Sequence, residues 1–198
     1  MLKKLFIIAL ISAGLLSFTW NTAYSQDSIS HLEFKGIQMK GSINDFADKL
    51  VKMGYIIKEN TGNVITLEGQ FVGKDATIYI AGTPKTNTIW KVMVYLPEVS
   101  SWYSIKSDYK YYKDMYTQKY GAPKDVYEFF SKPYYEGDGY EMSALKNDKC
   151  HYFSAFHTNE GVVVLEISTF KKVRFSYEDN ANTELRNKEK NTAVIDDI

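Results

Sequence analysis

Residues 42–54 decide the first element of the fold and read SINDFADKLVKMG. Ser42 and, three residues later, Asp45 form an acidic variant of the capping box, which gives the free N–H groups of a helix start an oxygen partner. Gly54 is typical of a helix end, because glycine accepts the left-handed backbone conformation found there. The apolar residues share one face at helical spacing: Ile43, Phe46, Ala47, Leu50 and Val51. The segment therefore predicts an amphipathic helix that buries one face.

A second helix is predicted between Pro97 and Pro123. It begins near Ser100 or Ser101, and Gly121 followed by Pro123 ends it. Its apolar and aromatic residues recur at spacings of three and four: Trp102, Ile105, Tyr109, Tyr112 and Tyr116. Such a stripe is expected to pack on a sheet.

Each predicted helix is followed by short strand-like segments that are separated by turn residues. The predicted strands are 32–38 before the first helix, 55–58, 64–71, 76–80 and 88–96 after it, and 125–130, 141–146, 150–157, 162–168 and 173–177 after the second. Strands joined by short turns pair antiparallel, and the helices must lie on the resulting sheet. We therefore predict a two-layer α+β fold. Tandem helix-plus-four-strand repeats, residues 32–98 and 99–179, form a continuous antiparallel sheet with the helices on one face.

The amino-terminal residues have the pattern of a signal peptide. Lys3 and Lys4 precede an apolar run of 14 residues, which is shorter than the roughly 20 residues that span a bilayer. Ala23 and Ser25 place small side chains where signal peptidase requires them, so residues 1–25 are expected to be cleaved. We expect an exported protein, in the periplasm or the extracellular space, with no transmembrane span after cleavage. An uncleaved anchor is the alternative.

The segments that flank the predicted domain are polar. Residues 26–31 are expected to be a flexible leader. Residues 180–198 have no apolar period, which predicts a frayed helix or a disordered tail.

Charge and cysteine content exclude several classes of protein. The chain has 24 basic and 24 acidic residues, and loss of the two amino-terminal lysines leaves a formal charge of −2. This balance argues against a nucleic-acid partner. Cys150 is the only cysteine, so neither an internal disulfide nor a lipid anchor is expected, and it is interpreted as a small buried group. No catalytic motif is present, and neither a cofactor nor a metal is expected.

Aromatic residues are the unusual feature of the second half. Some of them lie outside the buried stripe of the second predicted helix, and others flank the glycine-rich segment 136–139. An exposed tyrosine offers a rigid apolar face with a polar tip at little entropic cost. We expect Trp102 and Tyr109 to be buried. The candidate contact residues are Tyr103 and Tyr111 on the helix, and Tyr134, Tyr135 and Tyr140 around the loop, where exposure is expected.

A second set of candidates lies on the sheet, because one helix per half covers only one of its faces. In the strand 88–96, alternation assigns Trp90, Val92, Val94 and Leu96 to the core and Ile89, Lys91, Met93 and Tyr95 to the other face. The candidates for a binding platform on this open face are Lys91, Met93, Tyr95, Glu166 and Arg174. A face that is merely solvated is the alternative.

Several short motifs occur along the chain: Phe34-Lys35-Gly36-Ile37, Gly41-Ser42-Ile43 with Phe46, Trp102, Ser107-Asp108-Tyr109 and Lys119-Tyr120-Gly121-Ala122-Pro123. Together they resemble a group of uncharacterised exported proteins of gut bacteria, and the resemblance covers most of the chain after residue 25. The repeated helix-plus-sheet layout is similar to that of the β-lactamase inhibitor protein and of small outer-membrane assembly lipoproteins. This second likeness concerns the fold, which does not determine a function.

We expect an exported, non-catalytic binding or scaffold protein of the bacterial envelope, with a protein or peptide as its partner. A carbohydrate-binding protein that uses exposed Tyr and Trp rings is the alternative. A carboxylate-dependent hydrolase is a further alternative, because carboxylate pairs leave no local mark in a sequence. Coplanar exposed rings beside carboxylates or amides would favour a sugar, whereas rings spread over a broad apolar patch would favour a protein.

Overall fold

A computed structural model describes residues 29–196. The predicted signal peptide and residues 26–28 of the leader lie outside these described residues. The first half comprises β1 (Glu33–Phe34), β2 (Ile37–Gln38), α1 (Ile43–Lys52), β3 (Ile56–Asn60), β4 (Val64–Phe71), β5 (Lys74–Gly82) and β6 (Ile89–Tyr95). The second comprises α2 (Trp102–Tyr120), β7 (Asp125–Phe130), α3 (Glu141–Lys146), β8 (Cys150–His157), β9 (Gly161–Ser168), β10 (Lys172–Asp179) and α4 (Asn180–Asp196).

Eight strands form one antiparallel sheet in the order β3-β4-β5-β6-β10-β9-β8-β7. The last strand of each half, β6 or β10, lies at the centre, where Val94 is opposite Phe175. Two helices pack on the same face of this sheet: α1 contacts β3, β4 and β5, and α2 contacts β8, β9 and β10. The predicted α+β fold, with its antiparallel sheet and its two helix-plus-four-strand halves, is therefore confirmed.

The first helix begins and packs as its sequence predicts, with one exception. The Asp45 N–H donates to the Ser42 hydroxyl oxygen at 3.1 Å. Ile43, Phe46, Ala47 and Leu50 are buried. Val51 was predicted on the buried face but is 42% exposed, because it lies at the margin of the apolar stripe.

The second helix is capped by Ser101, whose hydroxyl accepts from the Ser104 N–H at 3.2 Å. Gly121 ends the helix at φ +84°, in the left-handed region that glycine favours. The buried stripe consists of Ile105, Tyr109, Tyr112 and Tyr116. Trp102, at the first turn, is only partly buried and packs against the edge of the core, so the prediction of a buried Trp102 holds in part.

The amino-terminal segment differs from the prediction. Residues 32–38 form the short hairpin β1–β2 rather than one strand, because Lys35 and Gly36 both take positive φ and reverse the chain. Its Phe34 is buried against Phe71 and Tyr177. The described end of the leader is held to the domain, since the His31 ring nitrogen Nδ1 lies 3.1 Å from the buried Asp179 carboxylate.

Residues 141–146 form the helix α3 and not the predicted strand. The segment is rich in residues with high helix propensity, and Ala144 and Leu145 are buried beside β8. The second half therefore contributes four strands to the eight-stranded sheet, as the first half does.

Residues 180–196 form the helix α4, so the prediction of a disordered tail is wrong and the helical alternative is the one found. Polar contacts hold the helix across the end of the sheet. The Asn182 amide donates to the Met39 carbonyl at 2.7 Å, and the Lys85 N–H donates to Glu189 at 2.6 Å. Burial alone would raise the pKa of Glu189, but hydrogen bonds from Thr86, Lys85 and Thr83 outweigh it and lower that pKa. Within residues 29–196, no helix is long and apolar enough to cross a lipid bilayer.

A β-bulge changes the predicted alternation at the start of β6. Lys91 pairs with Ala81 and Ile89 pairs with Gly82, so Trp90 is an extra residue. Consequently Ile89 is fully buried although alternation assigned it to the open face. Trp90 is only half-buried, and the Arg186 guanidinium lies 4.2 Å from the centre of its ring.

Candidate functional site

The face of the sheet opposite α1 and α2 carries all five sheet residues that were predicted to bind a partner. Lys91, Met93 and Tyr95 alternate with the buried Val92 and Val94 along β6. In the register of the sheet, Arg174 lies between Tyr95 on one side and Glu166 on the other. We call this surface the open face.

One register row crosses six strands of the open face and brings together residues that are distant in the sequence. It consists of Thr77, Tyr95, Arg174, Glu166, Phe153 and Tyr127. With neighbouring strands about 4.8 Å apart, the row is roughly 24 Å long. It therefore extends over several times the width of one sugar ring.

Arg174 occupies the centre of this row and is fixed by both of its neighbours. Its Nη2 lies 2.6 Å from Glu166 Oε1, and its Nη1 donates to the Tyr95 hydroxyl at 3.2 Å. Burial alone would lower the pKa of Arg174, but the hydrogen bond to Tyr95 and the charge of Glu166 outweigh it and raise that pKa. Among the described residues, the buried Arg174 Nε and Ser176 Oγ atoms have no hydrogen-bond partner. The centre of the open face thus carries a fixed ion pair together with buried polar atoms that lack a hydrogen-bond partner.

A shallow groove lies on one side of Arg174. It has a volume of about 460 Å³, and Tyr79, Met93, Tyr95 and Phe170 supply its apolar lining. Tyr95 meets Tyr79 edge-on at 5.7 Å between ring centres and contacts Phe170 at 6.5 Å. We call this the tyrosine groove.

A second aromatic surface, the edge cluster, lies on the other side of Arg174 and consists of Tyr127, Phe129, His151 and Phe153. Tyr127 and Phe153 are tilted by 46° at 5.8 Å, and Phe129 and His151 by 39° at 5.0 Å. A depression of about 200 Å³, with Phe153, Glu166, Phe170 and Arg174 in its lining, lies between the groove and the cluster. The rings of the open face are therefore not coplanar, and they form two apolar areas on either side of the Arg174–Glu166 pair.

The candidate tyrosines of the loop lie on the other side of the molecule, with α2. Tyr135 and Tyr140 are about two thirds exposed, at 66% and 65%, as predicted. Tyr134 was predicted to be exposed but is partly buried, because its ring packs against the core and its hydroxyl accepts from Asn147.

Asp138 organises this loop. Its carboxylate accepts from the Tyr135 N–H at 3.0 Å and from the Tyr140 N–H at 2.7 Å. The neighbouring Glu136 is bound by Lys106 of α2. Glu141, next to Tyr140, accepts from the Gly137 N–H at 2.8 Å, so all three carboxylates beside the exposed rings are already engaged within the protein.

The two candidates on α2 are exposed as predicted, Tyr103 at 84% and Tyr111 at 59%. Because α2 packs on the helical face, neither residue meets Lys91, Met93, Tyr95, Glu166 or Arg174. The predicted contact residues thus form two surfaces on opposite sides of the sheet.

Titratable groups that could support catalysis or bind a metal are dispersed. Cys150 is buried as predicted, and burial raises the pKa of its thiol to about 12. His151 and His157 share the open face but lie at separate positions, with His157 paired to Asp125 at 3.0 Å. Within residues 29–196, no three His, Cys, Asp or Glu side chains are grouped so that they could hold a metal ion.

Sequence reasoning missed six residues of the open face: Tyr79, Tyr127, Phe129, His151, Phe153 and Phe170. A signal for four of them exists, because Tyr127 and Phe129 alternate along one predicted strand and His151 and Phe153 along another. Their meeting depends on the register between β7 and β8, which residues 131–149 separate in the sequence.

Comparisons with protein-family models, with curated proteins and with solved structures gave no match.

Proposed function

We propose that this chain is an exported, non-catalytic binding protein whose open face engages a protein or peptide partner. The observation that carries the proposal is the arrangement around Arg174, a fixed charged centre between the tyrosine groove and the edge cluster. Aromatic residues and arginine are enriched in the cores of protein–protein interfaces and dominate their binding energy. Isolated exposed apolar residues are common on protein surfaces, whereas contiguous patches mark interaction sites.

Size and chemistry favour a macromolecular partner. The rings of the open face are spread along roughly 24 Å and are tilted or edge-on to one another, whereas sugar recognition would favour coplanar rings beside free carboxylates. The carboxylates of Glu166 and Glu178 on this face are bound by Arg174 and Lys91, at 2.6 Å each. A protein partner can bury such a surface and leave the ion pairs intact.

The alternative of carbohydrate binding applies to the loop, where Tyr135 and Tyr140 are exposed. It is less well supported, because the nearby Glu136 and Asp138 already bind groups of the protein itself. A hydrolase would need two carboxyl groups directed at one substrate, and the carboxylates described on the open face are instead paired with cations.

Partner capture with two matched double variants tests the assignment to the open face. Phe153→Ser with Phe170→Ser removes one partly buried and one exposed ring from the open face. Tyr134→Ser with Tyr135→Ser removes one partly buried and one exposed ring from the loop. After cross-linking in the native envelope, we expect the open-face variant to lose about tenfold or more of the captured partner and the loop variant to retain it.

Both variants must first show a cooperative melting transition, so that loss of capture is not loss of fold. Capture that is lost only in the loop variant would move the binding site to Tyr134 and Tyr135. Glycan binding that depends on the loop rings would replace a protein partner by a sugar.

Export is tested separately, by mass spectrometry of the protein recovered from the cell envelope or the culture medium. We expect a terminus at or within a few residues of Gln26, because small residues at Ala23 and Ser25 fit signal peptidase. Recovery of the chain with Met1 and the whole apolar run intact would contradict export by cleavage.

A further inference from the structure

The strand β7 forms one edge of the sheet and is exposed over most of its length. Every residue from Asp125 to Phe129 is exposed, and the apolar ones are exposed by 43% at Val126, 52% at Tyr127 and 48% at Phe129. A regular apolar edge strand is a template for pairing with another chain, and monomeric proteins usually protect such edges.

The opposite edge, β3, is also exposed along its whole length, but a β-bulge interrupts its regularity. Its register against β4 shifts between Ile57 and Glu59, which marks a bulge, and Lys58 forms an ion pair with Glu68. By contrast, β7 pairs with β8 over six residues without a register shift. A bulge on an edge strand disfavours further pairing, so the uninterrupted β7 is the better of the two edges for pairing with another strand.

The pairing of β7 with β8 shows which backbone N–H and C=O groups of β7 have no partner. The Ser131 N–H donates to the Lys149 carbonyl at 2.7 Å in the same register. Since antiparallel ladders alternate, residues 125, 127 and 129 direct their backbone groups towards β8, and Val126, Glu128 and Phe130 direct theirs outwards. Within residues 29–196, no hydrogen bond reaches this outer side of β7.

We propose that β7 pairs antiparallel with β7 of a second copy of this chain, around a two-fold axis perpendicular to the sheet. Such an axis keeps the two open faces on the same side and joins the two edge clusters into one aromatic surface. The partner strand is assigned to a second copy because β7 has similar residue types at equal distances on either side of Glu128. With Glu128 on the axis, Tyr127 lies opposite Phe129 of the second copy, and Val126 lies opposite Phe130.

Cross-strand chemistry selects this register. Aromatic pairs and pairs of aromatic and β-branched residues are favourable across strands, and like charges directly opposite are not. In this register the two Glu128 residues lie opposite each other, but each carboxylate is neutralised within its own copy. Lys113 Nζ lies 2.5 Å from it, and the Tyr109 hydroxyl lies 3.3 Å away. The register with Tyr127 on the axis would instead place Val126 opposite Glu128 and Phe129 opposite Asp125.

Sedimentation of the purified protein tests the pairing, with two variants of one residue. Proline at Val126 removes an outward N–H that the intramolecular ladder does not use, and proline is tolerated at such edge positions. We expect wild type and Val126→Thr to form dimers between about 1 and 100 µM and Val126→Pro to stay monomeric throughout. A monomeric wild type over this range, or a dimeric Val126→Pro, would overturn the proposal.

Disulfide trapping tests the register and does not depend on the folding of the proline variant. A single Glu128→Cys substitution places two thiols opposite each other on the axis, at a separation of about 5.5 Å between Cα atoms, which a disulfide can span. Tyr127→Cys places its thiol opposite Phe129 of the second copy, where no thiol is present. We expect a covalent dimer from Glu128→Cys and none from Tyr127→Cys or wild type, whose Cys150 is buried. Failure of Glu128→Cys to cross-link would refute this pairing, and the opposite pattern would refute its register.

Discussion

Phe175→Ala is expected to lower the free energy of unfolding by about 3–5 kcal/mol. Phe175 lies on the central strand β10 and is fully buried. Its ring meets Phe71, Tyr112 and Tyr116, with 5.1 to 5.3 Å between ring centres. These three rings come from β4 and α2, so the substitution leaves a cavity where the two halves meet. Urea unfolding followed by circular dichroism measures the effect.

The control for Phe175 is the other phenylalanine of the same hairpin, Phe170. It is 66% exposed in the turn before β10, and Phe170→Ala is expected to change the stability by less than about 0.5 kcal/mol. Equal effects of the two substitutions would mean that the core is not centred on the junction of the halves.

Leu50→Ala is expected to destabilise the protein by about 2–5 kcal/mol, because it removes a fully buried side chain from the interface between α1 and the sheet. Its neighbour Val51 provides a control on the same helix. Since Val51 is 42% exposed, Val51→Ala is expected to cost less than about 0.5 kcal/mol. Thermal and urea unfolding of the two variants, measured together, give the difference.

A Leu50→Ala variant that unfolds like wild type would show that α1 does not pack as described. A large effect of Val51→Ala would place the buried face of α1 one residue further along the helix.

The parts of the fold that the sequence predicts are those specified by local chemistry. Ser42, Ser101 and Gly121 mark helix boundaries through hydrogen bonds and backbone angles within a few residues, and those boundaries are where the pattern places them. The hairpins that join β3 to β6 and β8 to β10 follow from short turns, which leave consecutive strands no other way to pair.

The errors occur where distant residues decide. The helix α4 has no apolar period, and it is held by Met39 and by the turn of Thr83, Lys85 and Thr86, all about 100 residues or more away. Local chemistry cannot reveal such partners. The six-residue α3 is shorter than two helical turns, so its periodicity cannot be distinguished from that of a strand.

Trp90 and Ile89 show a second reason why prediction from the sequence fails. Simple alternation assigns faces correctly along most of β6, but one inserted residue exchanges the two faces beyond it. The bulge leaves no clear mark in the sequence at this position.

The open face could be predicted only in part. Alternation identifies Lys91, Met93 and Tyr95 as one side of β6, and Glu166 and Arg174 fall on the same side of their own strands. The edge cluster could not be predicted, since it requires the register between two strands that a loop and α3 separate. The excess of tyrosine drew attention to the loop instead, where two of the three rings are exposed and the third is partly buried against the core.

The pairing of β6 with β10 at the centre of the sheet has a consequence for dilute solution. Two separate helix-plus-four-strand units would associate by diffusion and would dissociate on dilution. Here residues 96–101 tether one unit to the other, and a short tether corresponds to an effective concentration in about the millimolar range. The central junction therefore forms at any protein concentration, whereas an association through β7 follows mass action and depends on the concentration of the protein.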